Sequence, residues 1–180
     1  MTTVLTEPAA GAAIESRADA ALERLYEEHY VRLVRLSVLL LGDAGRAEEV
    51  VQDAFVALHQ RWSRLEGADL PAYLRQSVVN RSRSSLRHLR VVGRHPPEAP
   101  RAAPGADEPV LADSRRRGVV EALGALPRRQ REVLVLRYYL DLSEREIAET
   151  LGVSPGSVKT HASRGSAALR TALSGLQEDS

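Results

Sequence analysis

The sequence predicts an all-α protein built as two small helical domains joined by a flexible linker. Three observations lead there. Apolar residues recur at steps of three and four along most of the chain, the mark of amphipathic helices. No stretch shows the apolar–polar alternation of a half-buried strand. Five prolines and an acidic excess fall between His95 and Asp113, too poor in periodic apolar content to offset the entropy of ordering the chain. A length of 180 residues suits one ordinary domain or two small ones. The boundaries read as a disordered tail over 1–18, a first domain over 19–90, a linker over 91–113, a second domain over 114–176 and a tail over 177–180.

In the first domain, Leu22, Leu25, Tyr26, Tyr30, Leu33, Val34, Leu36, Leu40 and Leu41 mark a helix from about Asp19 to Leu41, ended by Gly42. Asp43 is placed to cap a second helix, with Glu48 and Glu49 in its first turn. Its buried stripe is Ala47, Val50, Val51, Ala54, Phe55, Leu58 and Trp62. After a loop at Gly67, a third helix starts near Leu70-Pro71, where proline is tolerated, and runs to about His88.

In the second domain, Val119, Val120, Leu123 and Leu126 form a helix stopped by Pro127, and Val133 to about Tyr139 form another. Ser143-Glu144-Arg145-Glu146 is a capping box that opens a short helix carrying Ile147, Ala148 and Leu151. Gly152 supplies a turn, and Ser154-Pro155 restarts a helix with a cap and a first-turn proline. Helix, tight turn and helix make a helix-turn-helix. In that motif the second helix lies in the major groove. Val158, Ala162 and Leu169 take the inward positions, so Ser157, Lys159, Thr160, Ser163 and Arg164 face outward as donors for phosphates and base edges.

Charge is distributed in blocks. Residues 19–60 carry eight acids against four Arg, whereas 61–94 carry eight Arg against two acids and 115–176 carry eleven basic residues against six acids. Two basic blocks separated by an acidic spacer fit two contacts with a polyanion.

The same sequence excludes several chemistries. It has no cysteine, hence no disulfide framework, thiolate zinc site or cysteine nucleophile. His29, His59, His88, His95 and His161 show no paired metal-ligand spacing, and neither a Ser-His-Asp order nor a glycine-rich phosphate loop is present. No metal, cofactor or catalytic centre is expected. Glu49 and Asp53, four apart on an exposed helix face, suit solvation or a protein partner better than acid–base chemistry. The N-terminus lacks the basic and apolar regions of a signal peptide, and Val38–Leu41 is far too short to span a membrane. A cytoplasmic protein without membrane contact is expected.

The segments Leu126-Pro127-Arg128-Arg129-Gln130-Arg131-Glu132-Val133-Leu134, Leu142 to Ala148 and Gly156-Ser157-Val158-Lys159 resemble region 4 of bacterial sigma factors. Ala47 to Phe55 resembles region 2.2, and Arg61-Trp62 through Ala72-Tyr73-Leu74 to Asn80-Arg81 resembles regions 2.3 and 2.4. With no room for regions 1.1 and 3, the pattern is similar to the small extracytoplasmic-function group of the sigma-70 family.

That resemblance implies a factor that binds core RNA polymerase and directs promoter-specific initiation, with catalysis left to the polymerase. It implies that Glu49, Gln52 and Asp53 meet the clamp helices of the largest subunit and that the second domain docks on the flap. It implies that Arg61, Trp62, Arg64, Arg75, Asn80, Arg81, Arg83 and Arg87 serve the minus-10 element, with the loop Leu65–Leu70 as the base pocket. Ser157, Lys159, Thr160, Ser163 and Arg164 would then serve the minus-35 element, and an anti-sigma factor is a further partner to test. A rival reading is a dimeric helix-turn-helix regulator of response-regulator type, which requires a phosphorylatable or ligand-binding N-terminal domain. Residues 19–90 offer no such pocket.

Overall fold

The computed structural model describes residues 8–65, 67–92 and 110–178, and their regular structure is helical throughout. The order is α1 Pro8–Leu41, α2 Ala44–Gln60, a 3-10 turn Trp62–Arg64, α3 Leu70–Val92, α4 Val110–Ala125, α5 Arg128–Tyr138, α6 Glu144–Leu151 and α7 Pro155–Glu178.

Several boundaries differ from the sequence reading. Helix α1 begins at Pro8, so residues 8–18, expected to be a disordered tail, are helical. Proline suits a first helical turn, and the alanines that follow have the highest helix propensity, a signal that apolar periodicity does not register. Residues 1–7 lie outside the described residues. Helix α3 continues to Val92 and α4 starts at Val110, which narrows the expected linker to 93–109, itself outside the described residues. Helix α7 runs to Glu178, into the expected tail, and 179–180 lie outside. The Asp43 carboxylate accepts from Arg46 N at 2.9 Å. This cap makes Ala44–Ala47 the first turn of α2, so Glu48 and Glu49 fall in the second.

Helices α1, α2 and α3 pack pairwise into one unit, whereas α7 packs on α4, α5 and α6 in the other. Leu36, Leu58, Leu74, Val51 and Val78 are fully buried in the first unit, and Leu134, Leu136, Ile147, Val133 and Val158 in the second. Each such side chain contributes about 1.5–3 kcal/mol of transfer free energy. Tyr26 stacks on Tyr30 at 4.3 Å and meets Phe55 edge-on at 5.3 Å, which locks α1 against α2. The two units touch through α1 with α4 and α5, and through α3 with α6. The buried core runs continuously across that seam.

Candidate nucleic-acid interface

The helix-turn-helix is assembled by local chemistry. Ser143 Oγ accepts from Glu146 N while the Glu146 carboxylate accepts from Ser143 N at 2.9 Å, completing the capping box. The Ser143 hydroxyl bonded to Glu146, and then its backbone N–H, hold the Glu146 carboxyl below the usual carboxylate range. Gly152 ends α6 at φ +63°, the left-handed C-cap conformation that glycine adopts without steric penalty. At the start of α7, Ser154 Oγ accepts from Ser157 N at 3.1 Å.

Val158 and Ala162 are buried and Leu169 is half-buried, as the inward assignment requires. Lys159, Thr160, Ser163 and Arg164 are exposed on the opposite face. Lys159 Nζ lies 3.8 Å from Glu144, whose other oxygen accepts from Arg137 at 2.7 Å. Thr160 Oγ1 donates back to Gly156 O. Ser157 is half-buried, its hydroxyl 2.9 Å from that of Ser154, so it serves the helix start more than an outer face.

Helix α3 fans its polar residues in three directions. Leu74, Val78, Val79 and Ser82 are buried. Asn80 and Arg87 are exposed and belong to one chain of contacts: Arg83 Nη1 donates to Asn80 Oδ1, Ser84 Oγ donates to Asn80 O, and Arg87 Nη2 donates to Ser84 Oγ. Arg81 turns toward α2 and donates to Asp53 at 3.3 Å. Arg75 lies about 140° around the helix from Asn80. With His29, Arg32, Leu33, Pro71 and Leu140 it lines a cavity of about 140 Å³, and its buried Nε has no hydrogen-bond partner. Asn80, Arg83 and Arg87 are thus brought together, with Arg83 also donating through Nε and Nη2 to Glu132 on α5, whereas Arg75 and Arg81 are directed elsewhere.

Next to α3, the Trp62–Arg64 turn places Trp62 half-buried and Arg61 and Arg64 exposed. Arg61 Nη1 donates to Tyr73 OH at 3.3 Å. The loop that follows turns at Gly67, φ +80°, and ends where Asp69 caps α3 by accepting from Ala72 N at 2.9 Å.

On α2, Glu49, Gln52 and Asp53 are exposed on one face. Val56, 54% exposed, continues that face one turn on, outside the set that the resemblance implies. Its signal is an aliphatic residue four positions after Gln52, outside the buried stripe. Among the described residues no group of His, Asp and Glu side chains is arranged to hold a metal ion, and no helix is long and apolar enough to cross a membrane.

A capped helix-turn-helix and a donor-rich α3 on two helical units define a DNA-binding transcription protein. A family model described as Sigma-70 region 2 matches residues 25–91, and one described as Sigma-70, region 4 matches residues 116–169. RNA polymerase sigma factor CarQ of Myxococcus xanthus is 30% identical over 162 residues, 89% of this chain and 93% of that protein. ECF RNA polymerase sigma factor SigL of Mycobacterium tuberculosis is 33% identical over 165 residues, 88% and 93% of the two chains. Among solved structures, CnrH in complex with the cytosolic domain of CnrY superposes with TM-score 0.67 at 24% identity, over 91% of this chain and 96% of that one. The sigma factor RpoE in complex with the anti-sigma factor NepR from Bartonella quintana gives TM-score 0.67 at 22% identity, over 84% and 98%. The chain belongs to the sigma-70 family of RNA polymerase sigma factors, in its extracytoplasmic-function group. Members of this family direct transcription initiation and are not themselves enzymes.

Proposed function

We propose that this sigma factor docks on core RNA polymerase through the α2 face of Glu49, Gln52, Asp53 and Val56. In this reading α3, with Arg61, Trp62 and Arg64 beside it, captures the opened minus-10 strand. Asn80, Arg83 and Arg87 are its contacts, while Arg75 and Arg81 act from the flanks. Helix α7 enters the major groove at the minus-35 element with Lys159, Thr160, Ser163 and Arg164, and Ser157 sets its start. The second unit also docks on the polymerase flap. The protein works in the cytoplasm, where an anti-sigma protein, of the kind in the solved complexes of its structural relatives, is a further partner.

The observation that carries the reading is the separation of two donor-rich helix faces, α3 and α7, onto two units, each matching a different sigma region. The response-regulator alternative is not favoured, because residues 25–91 match Sigma-70 region 2.

The test is Arg164→Ala in reconstituted holoenzyme. A base contact predicts a loss of about 1–3 kcal/mol with relaxed preference at one promoter position, and a phosphate contact predicts a uniform loss with a smaller salt slope. Unchanged promoter occupancy in both Arg164→Ala and Lys159→Ala would remove α7 from recognition.

A further inference from the structure

The two helical units are joined by a charged latch. Arg83 Nε and Nη2 on α3 donate to the two carboxylate oxygens of Glu132 on α5 at 2.8 and 3.1 Å, the two-pronged geometry in which a guanidinium also grips a phosphate. Glu132 is 2% exposed, so the pair is shielded from the solvent screening that weakens surface ion pairs. Arg131 Nη1 donates to Leu40 O at 2.7 Å, Tyr139 OH donates to Arg32 O at 3.2 Å, and Leu140 walls the cavity that holds Arg75. Each contact places a residue of the second unit on the first.

We propose that in this closed arrangement the second unit inhibits the first, with the Glu132 carboxylate occupying Arg83 in place of a nucleic-acid phosphate. The inference rests on the reading of α3 as the strand-binding face.

Geometry supports it independently of charge. Helix α7 packs on α6 and α6 packs on α3, so two helix-packing steps, about 20 Å in all, separate the two DNA-facing helices. Two turns of duplex span about 70 Å. The closed chain therefore cannot serve both promoter elements. The 17 residues between Val92 and Val110 reach about 60 Å when extended, and the widths of the two units add to that span once they part.

The latch is also built to release. Arg129 Nη1 lies 2.9 Å and Arg128 Nε 3.6 Å from the same carboxylate. When Arg83 leaves, Glu132 keeps cationic partners on its own helix and is not left as an orphaned buried charge, the usual penalty for breaking such a pair.

The test uses the full chain, whose lack of cysteine permits clean labelling at Glu27→Cys and Ser174→Cys for energy transfer. Glu132→Gln and Arg83→Gln should both lower transfer efficiency relative to the parent. Glu132→Gln should also tighten binding of a fluorescent mixed-sequence single strand by about tenfold, the gain expected if about nine-tenths of the free protein is closed. Glu149→Gln, an equal charge change at an exposed site, controls for net charge and should change neither. Arg83→Gln should open without the gain in strand affinity. Circular dichroism identifies any variant that fails to fold, and either Gln variant alone suffices to read the opening.

Unchanged transfer in the folded variants would overturn the latch. Opening in Glu132→Gln with strand affinity no higher than in Glu149→Gln would overturn the inhibition. Normal promoter opening by holoenzyme carrying Arg83→Gln would instead overturn the reading of α3, a result independent of the transfer measurement.

Discussion

The Arg81 guanidinium lies 3.3 Å from the Asp53 carboxylate and so ties the face of α2 proposed to meet polymerase to the face of α3 proposed to meet DNA. Asp53 is exposed and Arg81 half-exposed, and ion pairs open to solvent contribute only about 0.2–1 kcal/mol. Asp53→Lys should therefore leave the melting temperature nearly unchanged while weakening assembly with core polymerase, and Glu49→Lys should do the same without freeing Arg81. Wild-type affinity for core in both folded variants, measured by competition with a labelled sigma factor, would remove α2 from the docking surface.

Promoter opening separates charge from a strand pocket. Asn80→Ala, combined with substitutions at Leu65, Ala68 and Leu70, should leave closed-complex formation nearly intact and depress strand opening, because an unpaired base costs a few kcal/mol to hold. A template with a preformed bubble should rescue the defect. Normal permanganate reactivity on duplex promoter, or no rescue by the bubble, would place the pocket elsewhere.

Two glycines should respond to alanine with opposite signs. A Cβ at Gly165 would sit 3.1 Å from Gln130 Cβ, next to the backbone, and 3.2 Å from Cγ and Cδ1 of Leu134, whose side chain is buried and has little room to move. Overpacking of about 1–3 kcal/mol exceeds the gain of about 1 kcal/mol from helix propensity, so Gly165→Ala should destabilise. At Gly124 the space is open, and alanine should stabilise by up to about 1 kcal/mol. Urea denaturation decides both; a stabilised Gly165→Ala would contradict the close approach of α7 to α5 at this position.

The capping box makes acid stability depend on Glu146. Its folded pKa lies below that of an unfolded glutamate, about 4.3, because it accepts from the Ser143 hydroxyl and backbone. Its contribution is therefore complete above about pH 4.3 and is lost as pH falls through the depressed folded value. Glu146→Gln should flatten that part of the acid limb of a melting-temperature profile. Superimposable profiles for the two proteins would contradict the box.

Ser37 on α1 and Ser82 on α3 are both buried, with hydroxyls 3.2 Å apart. Removing one leaves the other without its partner, at about 1–3 kcal/mol, whereas removing both is close to neutral. Ser37→Ala and Ser82→Ala should each destabilise, and the double variant should recover most of the loss. Additive losses in chemical denaturation would show that the pair is not coupled.

What could be read directly from the amino acids acts within a turn or two of chain. The Asp43 cap, the Ser143–Glu146 box, the turn at Gly152 and the buried stripe Ala47, Val50, Val51, Ala54, Phe55 and Leu58 are each specified by residues close in sequence and stand as read. Trp62, the expected end of that stripe, instead lies half-buried in the turn after α2. Helical class and the outward set Lys159, Thr160, Ser163 and Arg164 follow from the same short-range rules. The early start of α1 is also local, but alanine content rather than periodicity specifies it.

Tertiary structure decided which polar side chains remain available. Arg75, Arg81, Arg83 and Arg87 read alike along the chain, yet packing sends Arg75 to the seam, Arg81 to Asp53 and Arg83 to Glu132, 49 positions away. It also decided that a carbonyl of α1 is met by Arg131, 91 positions away, and that Gly165 is where α7 approaches α5. A guanidinium pairs with whichever acceptor the folded backbone brings within about 3 Å. Helix propensity and periodicity carry no term for that distance, so the partner of each arginine is settled only when the helices dock.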